Sequence, residues 1–146
     1  MKDMIIIHCS DTPASMDVTV EMLHQWHVVE NGWSAIGYAY FIDRDAQIHK
    51  CRDLDGDGDV EDEVGAHAFG FNRRSIGICL AGRGSYTDAQ FDSLRYLVND
   101  IVSRLGIKQD RIIGHCDVDP SKTCPMFSVK DKLNEWLESS QEGKSV

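Results

Sequence analysis

The chain has 146 residues, a net charge of −9 and an ordinary globular composition, with 42% hydrophobic and 27% charged residues. This length fits one domain over residues 1–146, and no apolar run approaches the roughly 20 residues that span a bilayer. Nucleic-acid binding depends on basic residues that neutralise phosphates, so we expect no nucleic-acid partner for an acidic chain without a basic stripe. We also expect no stable membrane insertion, because the chain has no spanning apolar run, and a monomer.

The first predicted element is a buried strand at residues 4–9, MIIIHC. The segment is too short for the apolar core of a secretory signal, and no cleavage site of small residues follows it. We therefore expect synthesis in the cytoplasm without a signal peptide. The five cysteines are then expected to be reduced and free for packing or metal binding.

The following elements alternate between strands and helices. A helix is predicted at 18–30, a hairpin at 38–42 and 47–51, a strand at 75–81, a helix at 88–105, a strand at 111–116 and a helix at 129–138. Thr87 and Gln90 fit a capping box, Gly106 ends that helix, and Ser128 caps the last one.

This order of elements predicts an α/β fold, a single domain with a central mixed β-sheet flanked by helices. The polar tail from about residue 139 is expected to be flexible.

Three residues of metal-ligand type stand at the ends of predicted elements. His8 ends the first strand, His115 ends a later strand, and Cys124 follows in a loop. Catalytic zinc sites use three such ligands and keep one position for water. Because side chains alternate along a strand, Cys9 and Cys116 are expected to face away from the site as core residues. The residue types alone also fit two core histidines with satisfied hydrogen bonds.

Four segments carry a family resemblance, in the order IIIHCSDTP at 5–13, QWH with NGWSAIGYAYFIDRDA at 25–46, VGAHAFGFNRRSIGICLAG at 64–82, and GHCDVDPSKTCP at 114–125. With them the chain resembles the type 2 N-acetylmuramoyl-L-alanine amidases, in particular short phage endolysins, which share their fold with the peptidoglycan recognition proteins. The resemblance covers about four-fifths of the chain. Two departures, Ala39 and an insertion within 55–62, leave the proposed metal ligands intact.

The resemblance implies zinc ligands at His8, His115 and Cys124, with catalytic roles for Tyr38 and Lys122. It also implies hydrolysis of the amide between N-acetylmuramic acid and L-alanine in peptidoglycan. As a phage endolysin, the enzyme would act on the cell wall after release through a membrane pore. Without the resemblance, Tyr38 fits a core aromatic and Lys122 a solvated loop residue.

Weaker candidates for substrate binding are His67, Trp33, Asn72 and Arg73, which the sequence puts in loops. Aromatic faces with a few polar groups suit a glycopeptide groove. Each candidate has a plainer interpretation: His67 as a structural loop histidine, Trp33 and Asn72 as packing residues, and Arg73 as a solvated side chain.

The acidic segment 53–63 presents Asp53, Asp55, Asp57 and Asp59 at calcium-loop spacing. The twelfth position would be Val64 instead of Glu, and flanking helices are not evident, so the match to an EF-hand is incomplete. We expect either a Ca²⁺ site or a solvated acidic turn.

Two further functions stay open from the sequence alone. One is a non-catalytic peptidoglycan-binding recognition module, which would have no need of the cysteine ligand. The other is a calcium-dependent interaction protein with a structural zinc ion.

Overall fold

The computed structural model describes residues 2–144 and has one five-stranded sheet. The strands are β1 (Met4–Cys9), β2 (Tyr40–Ile42), β3 (Ile48–Lys50), β4 (Ser75–Leu80) and β5 (Ile112–Gly114), and their spatial order is β3-β2-β4-β1-β5. Only the β2–β3 hairpin is antiparallel; the other pairs are parallel. The mixed sheet and the α/β class are as the sequence predicts.

The three predicted helices are present with different ends, and a further short helix lies where the sequence predicts the end of a strand. They are α1 (Val20–His24), which continues as a π-helix over Gln25–Glu30, α2 (Asp88–Leu105), α3 (His115–Val118) and α4 (Val129–Lys144). The capping box of α2 and its stop at Gly106 are confirmed. The backbone of α4 continues to Lys144, because no proline interrupts it, and residues 145–146 lie outside the described part of the chain.

The sheet has a hydrophobic cluster on each face, as the alternation of strand side chains requires. The larger cluster joins residues such as Ile5, Ile7 and Ile78 to the apolar stripe of α2 and to Leu133 of α4. The smaller cluster lies on the opposite face. Its members are Val18, Leu23, Ile36, Phe41, Cys79 and Ala81. No helix among the described residues is long and apolar enough to cross a membrane.

The interior strand β1, next to the edge strand β5, determines where the functional groups meet. All six of its residues are buried, and it runs parallel to both neighbours, β4 and β5. Parallel strands bring their carboxyl ends to the same edge of a sheet. Ile7 pairs with Gly114, so the residues that follow them, His8 and His115, come to lie side by side at that edge.

Candidate metal centre

His8 and His115 form the base of a cluster at the carboxyl end of the sheet. Their ring centroids are 4.5 Å apart, and His8 is only 1% exposed. The prediction that His115 ends a strand was wrong, because β5 stops at Gly114 and His115 begins the short helix α3. This turn of the backbone directs His115 toward His8.

The third member, Cys124, lies nine positions after His115, in the loop that follows α3. Its carbonyl accepts a hydrogen bond of 2.9 Å from the amide of Cys116, which fixes the returning chain. A Cβ at Gly114 would lie 2.8 Å from Cδ of Pro125, so only glycine lets the loop approach this closely. The Cys124 Sγ then lies 3.4 Å from Nδ1 of His115 and 4.0 Å from Nδ1 of His8.

This trio has the composition and spacing of a zinc site. One ligand atom from each of His8, His115 and Cys124 lies within 4.8 Å of the other two. Zn–N and Zn–S bonds of about 2.0–2.3 Å in a tetrahedron require ligand atoms roughly 3.3–3.8 Å apart, close to the distances present. Two imidazoles and a thiolate suit zinc better than a hard cation. The trio can therefore hold a metal with one position left for water.

Both imidazoles are neutral at physiological pH, as metal binding requires. Burial and the neighbouring imidazoles of His67 and His115 lower the pKa of His8 well below its ordinary value. Burial and the Lys122 ammonium lower the pKa of His115, whereas Asp119 opposes that shift.

Tyr38 and Lys122 both lie near the cluster. The ring centroid of Tyr38 is 5.0 Å from that of His8. Burial and the Cys79 and Cys124 thiols raise the pKa of Tyr38 well above its ordinary value, so its hydroxyl remains a proton donor. Lys122 is exposed, near enough to His115 to influence its pKa, and its amide donates to the carbonyl of Asp119.

The four candidates for substrate binding lie in different surroundings. His67 contacts His8, and the side-chain oxygen of Asn72 accepts hydrogen bonds from the His67 and Ala68 amides. Trp33 is 38% exposed, with its ring 4.8 Å from that of His27. Arg73 is exposed and lines a separate groove. That groove also contains Lys2, Glu61 and Arg104. Contact with substrate stays a prediction for all four.

Of the two neighbouring cysteines expected to lie in the core, Cys9 does so and Cys116 does not. Cys9 is buried, but its thiol lies beside that of Cys124, and a hydrogen bond from Cys124 lowers the pKa of Cys9 to about 7. Cys116 is half-buried because it belongs to α3 and not to a strand. Strand alternation could not reveal either feature, since β1 ends at Cys9 and Cys124 returns from elsewhere in the chain.

The acidic segment forms a second group of carboxylates. Asp53, Asp55 and Asp57 have oxygen atoms within 4.8 Å of one another, and so do Asp55, Asp62 and Glu63. Many of these oxygens already accept hydrogen bonds from amides of the same loop: Asp53 from Gly56 and Gly58, Asp55 from Asp57, and Asp57 from Asp59. The calcium site therefore stays a prediction.

Comparisons with known proteins agree on one family. A family model described as N-acetylmuramoyl-L-alanine amidase matches residues 2–127. The chain is 35% identical to an endolysin of Klebsiella phage KP32 over 145 residues, which cover 94% of this chain and 86% of the endolysin.

Two solved structures share the fold over most of the chain. N-acetylmuramoyl-L-alanine amidase LysC from Clostridium intestinale URNW has a TM-score of 0.75 at 29% identity, covering 91% of this chain and 85% of LysC. A Drosophila PGRP-LB mutant in complex with tracheal cytotoxin has a TM-score of 0.75 at 26% identity, covering 92% and 81%.

Proposed function

The chain belongs to the N-acetylmuramoyl-L-alanine amidase family, and we propose that it is a zinc-dependent enzyme of the phage endolysin type. Its substrate is peptidoglycan, and the bond it hydrolyses joins N-acetylmuramic acid to L-alanine. The observation that carries this proposal is the convergence of His8, His115 and Cys124, whose ligand atoms lie within 4.8 Å of one another.

The residues around the trio have the properties that amide hydrolysis needs. Zinc, when bound, would polarise the substrate carbonyl and lower the pKa of a bound water toward about 7. The exposed Lys122 would stabilise the negative charge that develops on the carbonyl oxygen, an effect worth about 3 kcal/mol per donor. Tyr38, protonated because its pKa is raised, would donate a hydrogen bond to that oxygen or a proton to the departing L-alanine amine.

The biological setting we infer is lysis of a bacterial host. Similarity to phage endolysins over more than nine-tenths of the chain supports this setting. We infer that the enzyme reaches the wall through a membrane pore, and that it works as a monomer.

The experiment that tests the activity combines metal analysis with product identification. Purified protein should contain about one zinc per chain and should release stem peptides from peptidoglycan, leaving glycan without peptide. Removal of the metal by a chelator should stop this release, and added zinc should restore it. New reducing sugar ends without free peptide would instead indicate a glycosidase and overturn the proposal.

A non-catalytic recognition module is the second candidate, because structures of peptidoglycan recognition proteins share this fold. The cysteine of the metal trio argues against it, since binding alone has no use for an open metal site. A turbidity assay on permeabilised cells, with and without chelator, separates the two. Binding to the wall without clearing would favour the module.

A further inference from the structure

His67 connects the metal trio to the interior through an unbroken line of hydrogen bonds. Its Nδ1 lies 2.8 Å from Nε2 of His8, and its Nε2 lies 3.2 Å from Oγ of Ser75. The Ser75 hydroxyl lies 2.7 Å from the carbonyl oxygen of Phe71. The line therefore runs from the carbonyl oxygen of Phe71 to Nε2 of His8, whereas Cys124 faces the other ring nitrogen, Nδ1.

The carbonyl oxygen of Phe71, at one end of this line, determines which atom donates in each of the hydrogen bonds. A carbonyl oxygen can only accept, so Ser75 must donate its one hydrogen to Phe71. The Ser75 oxygen can then only accept from His67, which requires the proton of His67 to be on Nε2. The Nδ1 of a neutral His67 consequently carries a lone pair and accepts from His8.

His8 must therefore carry its proton on Nε2 and its lone pair on Nδ1. That Nδ1 is the atom that faces Cys124, at 4.0 Å from Sγ. Ligating histidines usually donate their second ring nitrogen to a carboxylate, a backbone carbonyl or water. In this chain the acceptor is a second imidazole.

The position of the His67 ring is itself enforced by two glycines. A Cβ at Gly65 would lie 2.5 Å from Cδ2 of the ring, and a Cβ at Gly77 would lie 2.7 Å from its Cγ. Any side chain at either position would displace the ring. Asn72 holds the backbone of the same loop by accepting from the amides of His67 and Ala68.

We propose that His67 is a positioning residue that, with Ser75, holds His8 in the tautomer whose Nδ1 lone pair points at the metal. The inference rests on the proposed function for the identity of the metal as zinc. It revises the expected role of His67 in substrate binding, because both of its ring nitrogens already have partners inside the protein.

The first test reads the tautomers directly in the metal-free protein. Two-bond ¹H–¹⁵N NMR spectra of ¹⁵N-labelled imidazoles identify which ring nitrogen carries the proton. We expect Nε2–H for both His8 and His67. A proton on Nδ1 of either ring would overturn the proposal, and no variant is needed for this result.

The second test measures zinc affinity by competition with a chromophoric chelator. His67→Leu removes the acceptor and should weaken zinc binding about 10- to 100-fold, the usual effect of losing such a partner. His67→Asn retains an acceptor near the position of Nδ1 and should recover part of the affinity. Ser75→Ala should have a smaller effect, since the acceptor itself remains.

The matched control is His49→Leu. It also removes a hydrogen-bonded imidazole, in this case one that is 2.8 Å from Asp43 on the hairpin, and it should leave zinc affinity unchanged. A folded His67→Leu protein with wild-type affinity would overturn the proposal. If the wild-type protein binds no zinc at all, the proposed function fails, and the NMR spectra still decide whether the line of hydrogen bonds sets the tautomers.

Discussion

The chain contains two groups of metal-ligand side chains, and they are built in opposite ways. The trio brings His8 together with His115 and Cys124, which lie more than one hundred positions later in the chain, at the carboxyl end of a buried sheet. The acidic loop gathers neighbours such as Asp53, Asp55 and Asp57 from one exposed stretch. In the trio, the hydrogen bond of His8 to His67 leaves the Nδ1 lone pair of His8 directed toward the metal position. In the loop, carboxylate oxygens accept hydrogen bonds from the backbone amides of the loop itself.

This difference shows that ligand chemistry and spacing in the sequence are not enough to identify a metal site. The sequence pattern of the loop is denser, but several of its carboxylate oxygens already accept hydrogen bonds from amides of the same loop. The trio is sparse in sequence, yet the fold provides burial, neutral imidazoles and matching distances. We therefore expect tight metal binding at the trio and, at most, weak binding at the loop.

The largest expected effect comes from removing one metal-ligand side chain from each group and comparing the zinc that each variant binds. Cys124→Ser should lower zinc affinity by at least about 100-fold, since even the loss of an outer partner reaches that size, and peptide release should be lost with it. Cys116→Ser is the matched control, because Cys116 is also a half-buried free thiol. Asp55→Asn should leave the zinc content, measured by mass spectrometry, unchanged. Equal zinc loss from the Cys124 and Asp55 variants would contradict the distinction.

Next in size are the effects on chemistry beside the trio. Lys122→Met should lower kcat about 100-fold with zinc retained, because it removes one source of charge stabilisation. Tyr38→Phe should also lower kcat with zinc retained. Lys130→Met and Tyr96→Phe remove the same chemical groups at exposed sites on the outer helices and should leave kcat unchanged. Kinetics of muropeptide release measure all four, and unchanged kcat in the first two variants would exclude these residues from catalysis.

A smaller effect concerns the ion pair between Glu61 and Arg104, which joins the acidic loop to α2. The buried Glu61 accepts hydrogen bonds of 2.8 and 2.7 Å from the Arg104 guanidinium and another from the Tyr40 hydroxyl. These bonds lower the pKa of Glu61 below its ordinary value of 4.5. Because Arg104 is 45% exposed, we expect Glu61→Gln to reduce the free energy of unfolding by only about 1–2 kcal/mol at pH 7.

The pH dependence of that loss has a definite sign. A carboxylate with a lowered pKa in the folded state stabilises above its unfolded pKa, and the contribution disappears as the pH falls through the folded value. The difference between wild type and Glu61→Gln should therefore be full above pH 4.5 and shrink below it. Urea unfolding at several pH values measures it, and a difference that persists undiminished in acid would rule out the charge as its cause.

The smallest expected effect is calcium binding at the loop. If Ca²⁺ binds, the competing amide hydrogen bonds should keep the Kd in the range of about 10⁻⁴ to 10⁻³ M, and Asp57→Asn should weaken it further. Isothermal calorimetry of the zinc-loaded protein measures this, with Asp92→Asn on α2 as the control. Absence of heat at millimolar calcium would remove the prediction and leave the solvated acidic turn.

Much of the fold follows from the sequence because its signals are local. The limits of β1, the capping box of α2 and the stop at Gly106 depend on residues within one or two turns. The prediction placed the end of β5 too late, because it extended the strand through His115, whereas the backbone turns into α3 after Gly114. At that turn the Asp117 side chain accepts a hydrogen bond from the amide of Gly114, and the amide of Cys116 donates to the carbonyl of Cys124.

The role of His67 illustrates a similar limit at the site. The sequence does not indicate which ring nitrogen of a loop histidine has a hydrogen-bond partner. His8 and Ser75 become partners of His67 only because the pairing of β1 with β4 places them beside that loop. The useful signal was Gly77, a residue without a side chain in the middle of a buried strand. Glycine in such a strand often marks the close approach of another group, and here the group is the His67 ring.

The strand order β3-β2-β4-β1-β5 also has a consequence for the chain during synthesis. The first strand to leave the ribosome, β1, lies between the fourth and the fifth, so it has no strand partner until β4 has emerged and lacks its second partner until about residue 114 has emerged. Long-range parallel pairing of this kind is slow and leaves apolar segments open to aggregation. The segment MIIIHC is therefore where we expect a nascent chain to need a chaperone, and no translation product that ends before Cys124 could assemble the metal trio.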